Sequence, residues 1–283
     1  MSSSKTIRVW LWLLALGLLA ATGFKPTWTL PQSTYRYLIV FDITQSMNAR
    51  DYHLAGLPPD RLSFAKAAIE AAIFALPCGA QVGLGVFTHK DTQLVLEPIE
   101  VCGHASALRT VLEGIDWRSA WAADSYIAYG LFDAWRLAKA LNADLVFLTD
   151  GDQFPDTAQD PPFQGRKGEV NGWLVGVGTP YPVPIPKLDL DGRQLGYFTA
   201  EDLPQFRLST PQPAALLLSR LDTDRLHRLA SETGLAYLPL TTPKQLTEAM
   251  RQPNLKRVQK VATDLRPWLG LGALLLSLGA ILV

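Results

Sequence analysis

A surplus of charge of either sign is missing from this sequence: 26 basic residues face 26 acidic ones over 283 positions. A protein that tracks a phosphate backbone needs a basic excess, so the balance excludes a nucleic-acid binder. Histidine is scarce, and His53, His89, His104 and His227 lack the paired spacing of a zinc site. Each reads as an ordinary surface or core histidine. No internal repeat and no low-complexity tract is present, which sets aside a repeat array. The length suits one substantial α/β domain with appendages rather than two full domains. The 48% hydrophobic share is inflated by the two ends.

At the start, residues 1–24 place Lys5 and Arg8 ahead of an uncharged stretch from Val9 to Phe24. This is a signal peptide cut after the small residues Ala21 and Gly23, or an uncleaved signal anchor. The stretch lies near the lower limit of a span, which needs roughly 17 to 25 residues. The sequence closes with "PWLGLGALLLSLGAILV" (267–283), read as a C-terminal transmembrane helix, with Trp10, Trp12 and Trp268 placed to sit at headgroup level. Lys5 and Arg8 favour an inside N-terminus and a domain outside the cytoplasm. The basic linker at 251–266, with Arg251, Lys256, Arg257, Lys260 and Arg266, argues the other way. Long domains translocate largely regardless of charge, so the N-terminal signal carries more weight.

Only two cysteines occur. Cys78 precedes "QVGLGVF" and Cys102 follows "QLVLEPIEV". If these two strands form an antiparallel hairpin turning near His89 to Asp91, the start of the first lies beside the end of the second, within bridging range. A Cys78–Cys102 disulfide would imply an oxidising compartment such as a bacterial periplasm. The alternative is two unrelated buried thiols.

Strand and helix alternate between the ends. "YRYLIVFD" (35–42) is a continuous apolar run of the kind buried on both faces of a sheet. A helix follows at 58–76, then the hairpin, then helices at 104–115 and 125–141. Strands are expected at 143–152 and 171–179, a helix ending at Gly234, a short strand "LAYLPL" and a last helix "PKQLTEAM". This alternation predicts a mainly parallel sheet covered on both faces. The Pro-, Gly- and Asp-rich segments 152–168 and 178–210 read as loops, the second long enough to be a functional insertion.

In an open parallel sheet, ligands bind beyond the carboxyl ends of the strands. Asp42 ends one buried run and Asp150 another, so both carboxylates should emerge on one edge. "DITQS" (42–46) adds hydroxyls at alternate positions, Thr44 and Ser46. Oxygen donors without His or Cys suit Mg2+ or Ca2+ better than zinc. Asp51, Asp124 and Asp152 lie close by in sequence and read as solvated loop carboxylates, with tuning of the site or contact with a partner as the alternative.

These residues carry a resemblance. "DITQS" resembles the Asp-x-Ser-x-Ser signature of the von Willebrand factor A (VWA) domain, whose metal-ion-dependent adhesion site also takes a threonine from a second loop and an aspartate from a third. "LTDG" (148–151) is similar to the third loop. Counting five residues back from the Gly130-Leu131 pair gives Ser125 for the second. The resemblance, over roughly 35–250, implies a Rossmann-like fold and the metal set Asp42, Thr44, Ser46, Ser125 and Asp150. It departs from the pattern at Thr44 and Ser125, and both swaps keep a hydroxyl. "SMNARD" with "PPDRLSFAKAAI", "VGVGTPYPVPIPKLDLDGRQLGY" and "LDTDRLHRLASETG" resemble the membrane-anchored Bat-type aerotolerance subgroup. The cysteine pair, "AWAADS" and the two terminal anchors are similar to VWA accessory proteins of methanol oxidation, which are implicated in maturing periplasmic methanol dehydrogenase and placing its calcium.

The resemblance implies a non-catalytic module in the bacterial inner membrane, facing the periplasm, whose cation is completed by an Asp or Glu of a protein partner. A methanol dehydrogenase subunit or another membrane VWA protein would be such a partner. Two rival classes remain open. One is a haloacid-dehalogenase-like, Mg2+-dependent phosphohydrolase with Asp42 as nucleophile; no persuasive lysine motif accompanies it. The other is a VWA scaffold that binds no metal.

Overall fold

The computed structural model describes residues 2–122, 124–155, 159–202 and 216–282. The chain divides into two compact units, Tyr35–Lys256 and the paired terminal segments Met1–Thr34 and Arg257–Val283.

The larger unit is α/β. Its central sheet has strands β1 (Arg36–Asp42), β2 (Gln81–Thr88), β3 (Asp91–Glu100), β4 (Asp144–Thr149), β5 (Gly172–Gly176) and β6 (Ala236–Pro239). Their order across the sheet is β6-β5-β4-β1-β2-β3, all parallel except the edge strand β3. Five α-helices among the described residues accompany them: α1 (Arg61–Phe74), α2 (Ala105–Gly114), α3 (Ile127–Ala140), α4 (Thr223–Thr233) and α5 (Pro243–Met250). The expected mainly parallel sheet with one antiparallel edge is present.

The apolar run of β1 is explained by its position. Alternate side chains enter opposite layers: Tyr37, Ile39 and Phe41 join Phe64, Ile69 and Ile73 of α1 and Met250 of α5 in one core. Leu38 and Val40 join Leu131 and Trp135 of α3 and Leu229 of α4 in the other. Both faces of the strand are therefore dry, and each such side chain contributes about 1.5–3 kcal/mol through burial. Helix starts follow local chemistry. The carboxylates of Asp60 and Asp222 accept the N–H groups of Ser63 and Arg225, capping α1 and α4, and Gly234 ends α4 in the left-handed region at φ 83°.

The insertion is more ordered than a plain loop. Val183–Pro184 pairs with Leu218–Ser219, and Pro186–Leu188 pairs with Gln194–Tyr197, both antiparallel. The remainder of 178–210 from residue 203 lies outside the described residues.

The terminal unit departs from the expected organisation. The segment 251–266, expected as a basic linker, contains the strand Arg257–Asp264, paired antiparallel with Thr27–Thr34. The helix Ser2–Thr22 contains the one stretch among the described residues, Lys5–Thr22, that is long and apolar enough to cross a membrane. The C-terminal apolar helix, Arg266–Leu282, is shorter at 17 residues, so spans at both ends are not established by length. The two helices pack on each other, with Ala15, Ala273 and Ala280 buried and Leu18 against Gly272. Small residues at such a contact let helix backbones approach closely.

Cys78 and Cys102 are joined in a disulfide, Cα to Cα 5.3 Å, across the open end of the β2–β3 hairpin. Glu100 reinforces the closure. Burial opposes its charge, but the N–H groups of Gly79, Gly103 and Cys102 outweigh that and hold its carboxyl below the ordinary value. The bridge closes a loop of sequence separation 24. Replacing both cysteines by serine should lower the unfolding free energy of the full chain by about 3 kcal/mol in urea titrations. A loss below about 1 kcal/mol would show that the hairpin closes as well without it.

Candidate metal site

β1 and β4 are parallel neighbours with Phe41 opposite Leu148, so Asp42 and the Thr149–Asp150 pair leave the sheet at the same edge. Asp42 and Asp150 are both fully buried. The turn after β1 is set by an Asx-type interaction: Asp42 Oδ1 accepts the Thr44 N–H at 2.9 Å and the Thr44 hydroxyl at 2.7 Å. Asp42 Oδ2 accepts the Thr149 hydroxyl at 2.7 Å. The chain then enters a short 3-10 turn, Gln45–Asn48, which brings the Ser46 hydroxyl 3.3 Å from that of Thr44. A second Asx turn holds Asp150, whose Oδ1 accepts the Asp152 N–H at 2.9 Å.

Ser125 is positioned differently, by main-chain bonds to the neighbouring loops. Its N–H donates to the Phe154 carbonyl at 2.8 Å and its carbonyl accepts the Phe154 N–H at 2.9 Å, while the next N–H, of Tyr126, bonds to His89. These bonds dock the segment before α3 between the end of the hairpin and the loop after Asp150. Gly130 makes the approach possible, because a Cβ there would stand 2.0 Å from the Phe87 ring. Ser125 is 3% exposed, and its hydroxyl has no hydrogen-bond partner among the described residues. An orphaned buried hydroxyl costs about 1–3 kcal/mol unless something fills its coordination.

Asp42, Thr44, Ser46 and Asp150 are thus brought together, and Ser125 stands on the adjoining loop without bonding directly to the other four. The donor set is all oxygen, two carboxylates and three hydroxyls, and fits a hard cation such as Mg2+ or Ca2+.

Sequence reasoning missed the residue at the centre of the charge network. Arg61, the first residue of α1, is fully buried. Its Nη1 donates to Asp150 Oδ2 at 2.8 Å and to the Ser219 hydroxyl at 2.7 Å, while Nη2 and Nε donate to Asp51 Oδ2 at 2.7 and 3.0 Å. Burial alone would push the guanidinium down, but the Asp150 and Asp51 carboxylates more than reverse this and hold its pKa above the ordinary value. Removing one member of a buried ion pair leaves an uncompensated charge, at a cost of about 3–5 kcal/mol. Only a glycine fits beside Arg61 at position 178, where φ is +110° and a Cβ would stand 2.5 Å from Nε. No spacing rule marks such an arginine; its signal was the "PPDRLSF" stretch itself.

Asp51 is therefore not a solvated loop carboxylate. It is 6% exposed, pairs with Arg61, and accepts the N–H of Thr179 at 2.9 Å. Asp152 is partly buried and shares the electrostatics of the site, whereas Asp124 pairs with His89 at 2.9 Å in a half-exposed position. His89 is accordingly a surface partner of a carboxylate.

No family model matches the chain, and no curated protein is similar to it in sequence. Solved structures do share its fold. An aerotolerance-related membrane protein from Bacteroides fragilis is 20% identical with a TM-score of 0.53, covering 77% of this chain and 98% of that one. The conserved hypothetical protein BatB from Bacteroides thetaiotaomicron is 18% identical with a TM-score of 0.55, covering 78% of this chain and 98% of that one. The chain has the fold of these Bat-type membrane proteins.

Burial, and then the charge of Asp150, push the Asp42 carboxyl up to about 7; burial and Asp150 do the same to Asp152, also to about 7. A carboxyl raised in the folded state favours folding while protonated. That contribution is complete below the unfolded value of about 4 and is lost as pH rises through about 7. The metal-free protein should therefore melt at progressively lower temperature as pH is raised from 5 to 8. Saturating Mg2+ or Ca2+, which binds the ionised forms, should flatten or reverse that slope in the same thermal scans. Parallel slopes with and without metal would show that no cation is held by these carboxylates.

Proposed function

We propose that the chain is a VWA-type member of the Bat group that holds Mg2+ or Ca2+ at Asp42, Thr44, Ser46, Ser125 and Asp150 and captures a protein partner through an Asp or Glu. The observation that carries this reading is a buried Ser125 hydroxyl, unpartnered among the described residues, on a segment bonded to Phe154 of the loop that leaves the buried carboxylate Asp150. Hydroxyl ligands are neutral, so a cation bound there would remain electron-poor and attract an incoming carboxylate in a partly desolvated cleft.

The reading is non-catalytic. Both Asp42 oxygens already accept hydrogen bonds, from Thr44 and Thr149, a posture that suits a fixed ligand better than a nucleophile that must turn to attack. Lys66, on the helix that follows β1, donates to the carbonyls of Glu113 and Ile115 rather than to either aspartate of the site.

The membrane setting draws support from the apolar helix containing Lys5–Thr22, from the second helix packed on it, and from a fold shared with Bat-type membrane proteins. The Cys78–Cys102 bridge favours a periplasmic location for the larger unit. Of partners with the required carboxylate, the sequence resemblance points to a methanol dehydrogenase subunit or another anchored VWA protein.

The test is capture from solubilised membranes with and without divalent metal. Asp42→Ala should abolish metal-dependent capture, by at least about a hundredfold, while circular dichroism shows the fold retained, and Asp150→Ala should do the same at a lower melting temperature because it also strips Arg61 of a buried partner. Capture that persists in EDTA and in both variants would sink the reading. The identity of the recovered protein, a dehydrogenase subunit or a VWA protein, separates the two partner classes.

A further inference from the structure

Buried carboxylates outnumber buried cations at the sheet edge. Asp42, Asp51 and Asp150 are all under a tenth exposed, and Arg61 is the one fully buried cation among the described residues. Its guanidinium occupies Asp150 Oδ2 directly and approaches the Ser46 carbonyl at 3.4 Å, so it lies beside two of the residues assigned to the metal. Arg61 is also anchored from behind. Asp51 Oδ2 takes two of its N–H donors, and the same oxygen receives the N–H and hydroxyl of Thr179 at the root of the insertion. Ser219, at the far root, accepts from Nη1.

We infer that Arg61 is a resident counter-cation and positioning residue: it neutralises Asp150 while the site is metal-free, competes with an incoming divalent ion for that carboxylate, and thereby sets the ion's affinity. The inference rests on the metal reading of the same site and adds a direction to it. A purely structural arginine would stabilise metal-free and metal-bound protein alike. A competing cation acts with opposite signs on the two properties, because removing its charge weakens the metal-free fold and strengthens attraction for the metal. Asp51 supplies the reverse change. Neutralising it leaves more of the Arg61 charge directed at Asp150.

The experiment is calorimetric titration of the full chain in detergent with Mg2+ alone and Ca2+ alone, paired with melting curves of the metal-free and metal-saturated forms. Arg61→Gln, which keeps a donor for Asp150, and Arg61→Met should melt lower without metal, bind the ion about tenfold more tightly, and gain a larger melting shift from it. Asp51→Asn should bind the ion about tenfold more weakly. Should an Arg61 variant fail to fold without metal, recovery of the fold on adding Mg2+ or Ca2+ supports the inference and failure to recover counts against it. Binding in the Arg61 variants that is unchanged or weaker overturns the inference while leaving the metal site standing. Wild-type protein that takes up neither ion overturns both.

Discussion

An excess of buried carboxylate over buried cation governs this structure. Asp42 and Asp150 sit in the dry margin of the sheet, with Arg61 bonded to the second of them. Charge of one sign is costly to bury, and hydrogen bonds from Thr44 and Thr149 do not prevent the Asp42 carboxyl from being driven up to about 7 by desolvation and by Asp150. The fold tolerates the arrangement because the surrounding apolar layers are large. Phe41, Phe64, Phe147 and their neighbours on both faces of the sheet are completely buried.

The register of the sheet turns that excess into a site. Since β1 pairs in parallel with β4, the two aspartates cannot be separated without shifting a strand, and a shift of one residue would turn every inward side chain to the opposite layer. The loops are held by specific contacts. Gly130 seats α3 against Phe87, which carries Ser125 to the margin, and the Arg61 chain runs from Ser46 through Asp150 and Asp51 to Thr179 and Ser219. The insertion is thereby tied at both roots to the same charges that surround the candidate ligands.

How much of this was legible in the sequence depends on the range of the interaction. Continuous apolar runs identified β1, β4 and β5 because strands buried on both faces have no polar side to write into the pattern. The hairpin and its cysteines were legible for a related reason: an antiparallel pair joined by a tight turn fixes which residues face each other. The aspartate–hydroxyl stretch 42–46 revealed its part of the site, since an Asx turn is local chemistry. What sequence patterning left hidden was long-range. Asp51 read as a loop acid and Arg61 drew no reading at all, since the partners that hold them, Thr179 and Ser219, lie more than a hundred positions away. The strand Arg257–Asp264 was hidden likewise, because its partner Thr27–Thr34 lies some 230 positions away, with Thr34 opposite Arg257.

The same distinction explains why the two departures from the VWA signature are compatible with a metal site whereas the arginine matters so much. Exchanging serine for threonine at position 44, or threonine for serine at 125, alters a methyl group and leaves a neutral oxygen donor in place. Neutral donors shape the coordination shell but scarcely change its charge. Affinity for a divalent ion therefore depends chiefly on the carboxylates and on whatever positive charge the protein has already placed among them. Here that charge is a guanidinium held by Asp51 and pressed on Asp150, so the electrostatic character of the candidate site depends on Arg61 and Asp51 as well as on its own carboxylates.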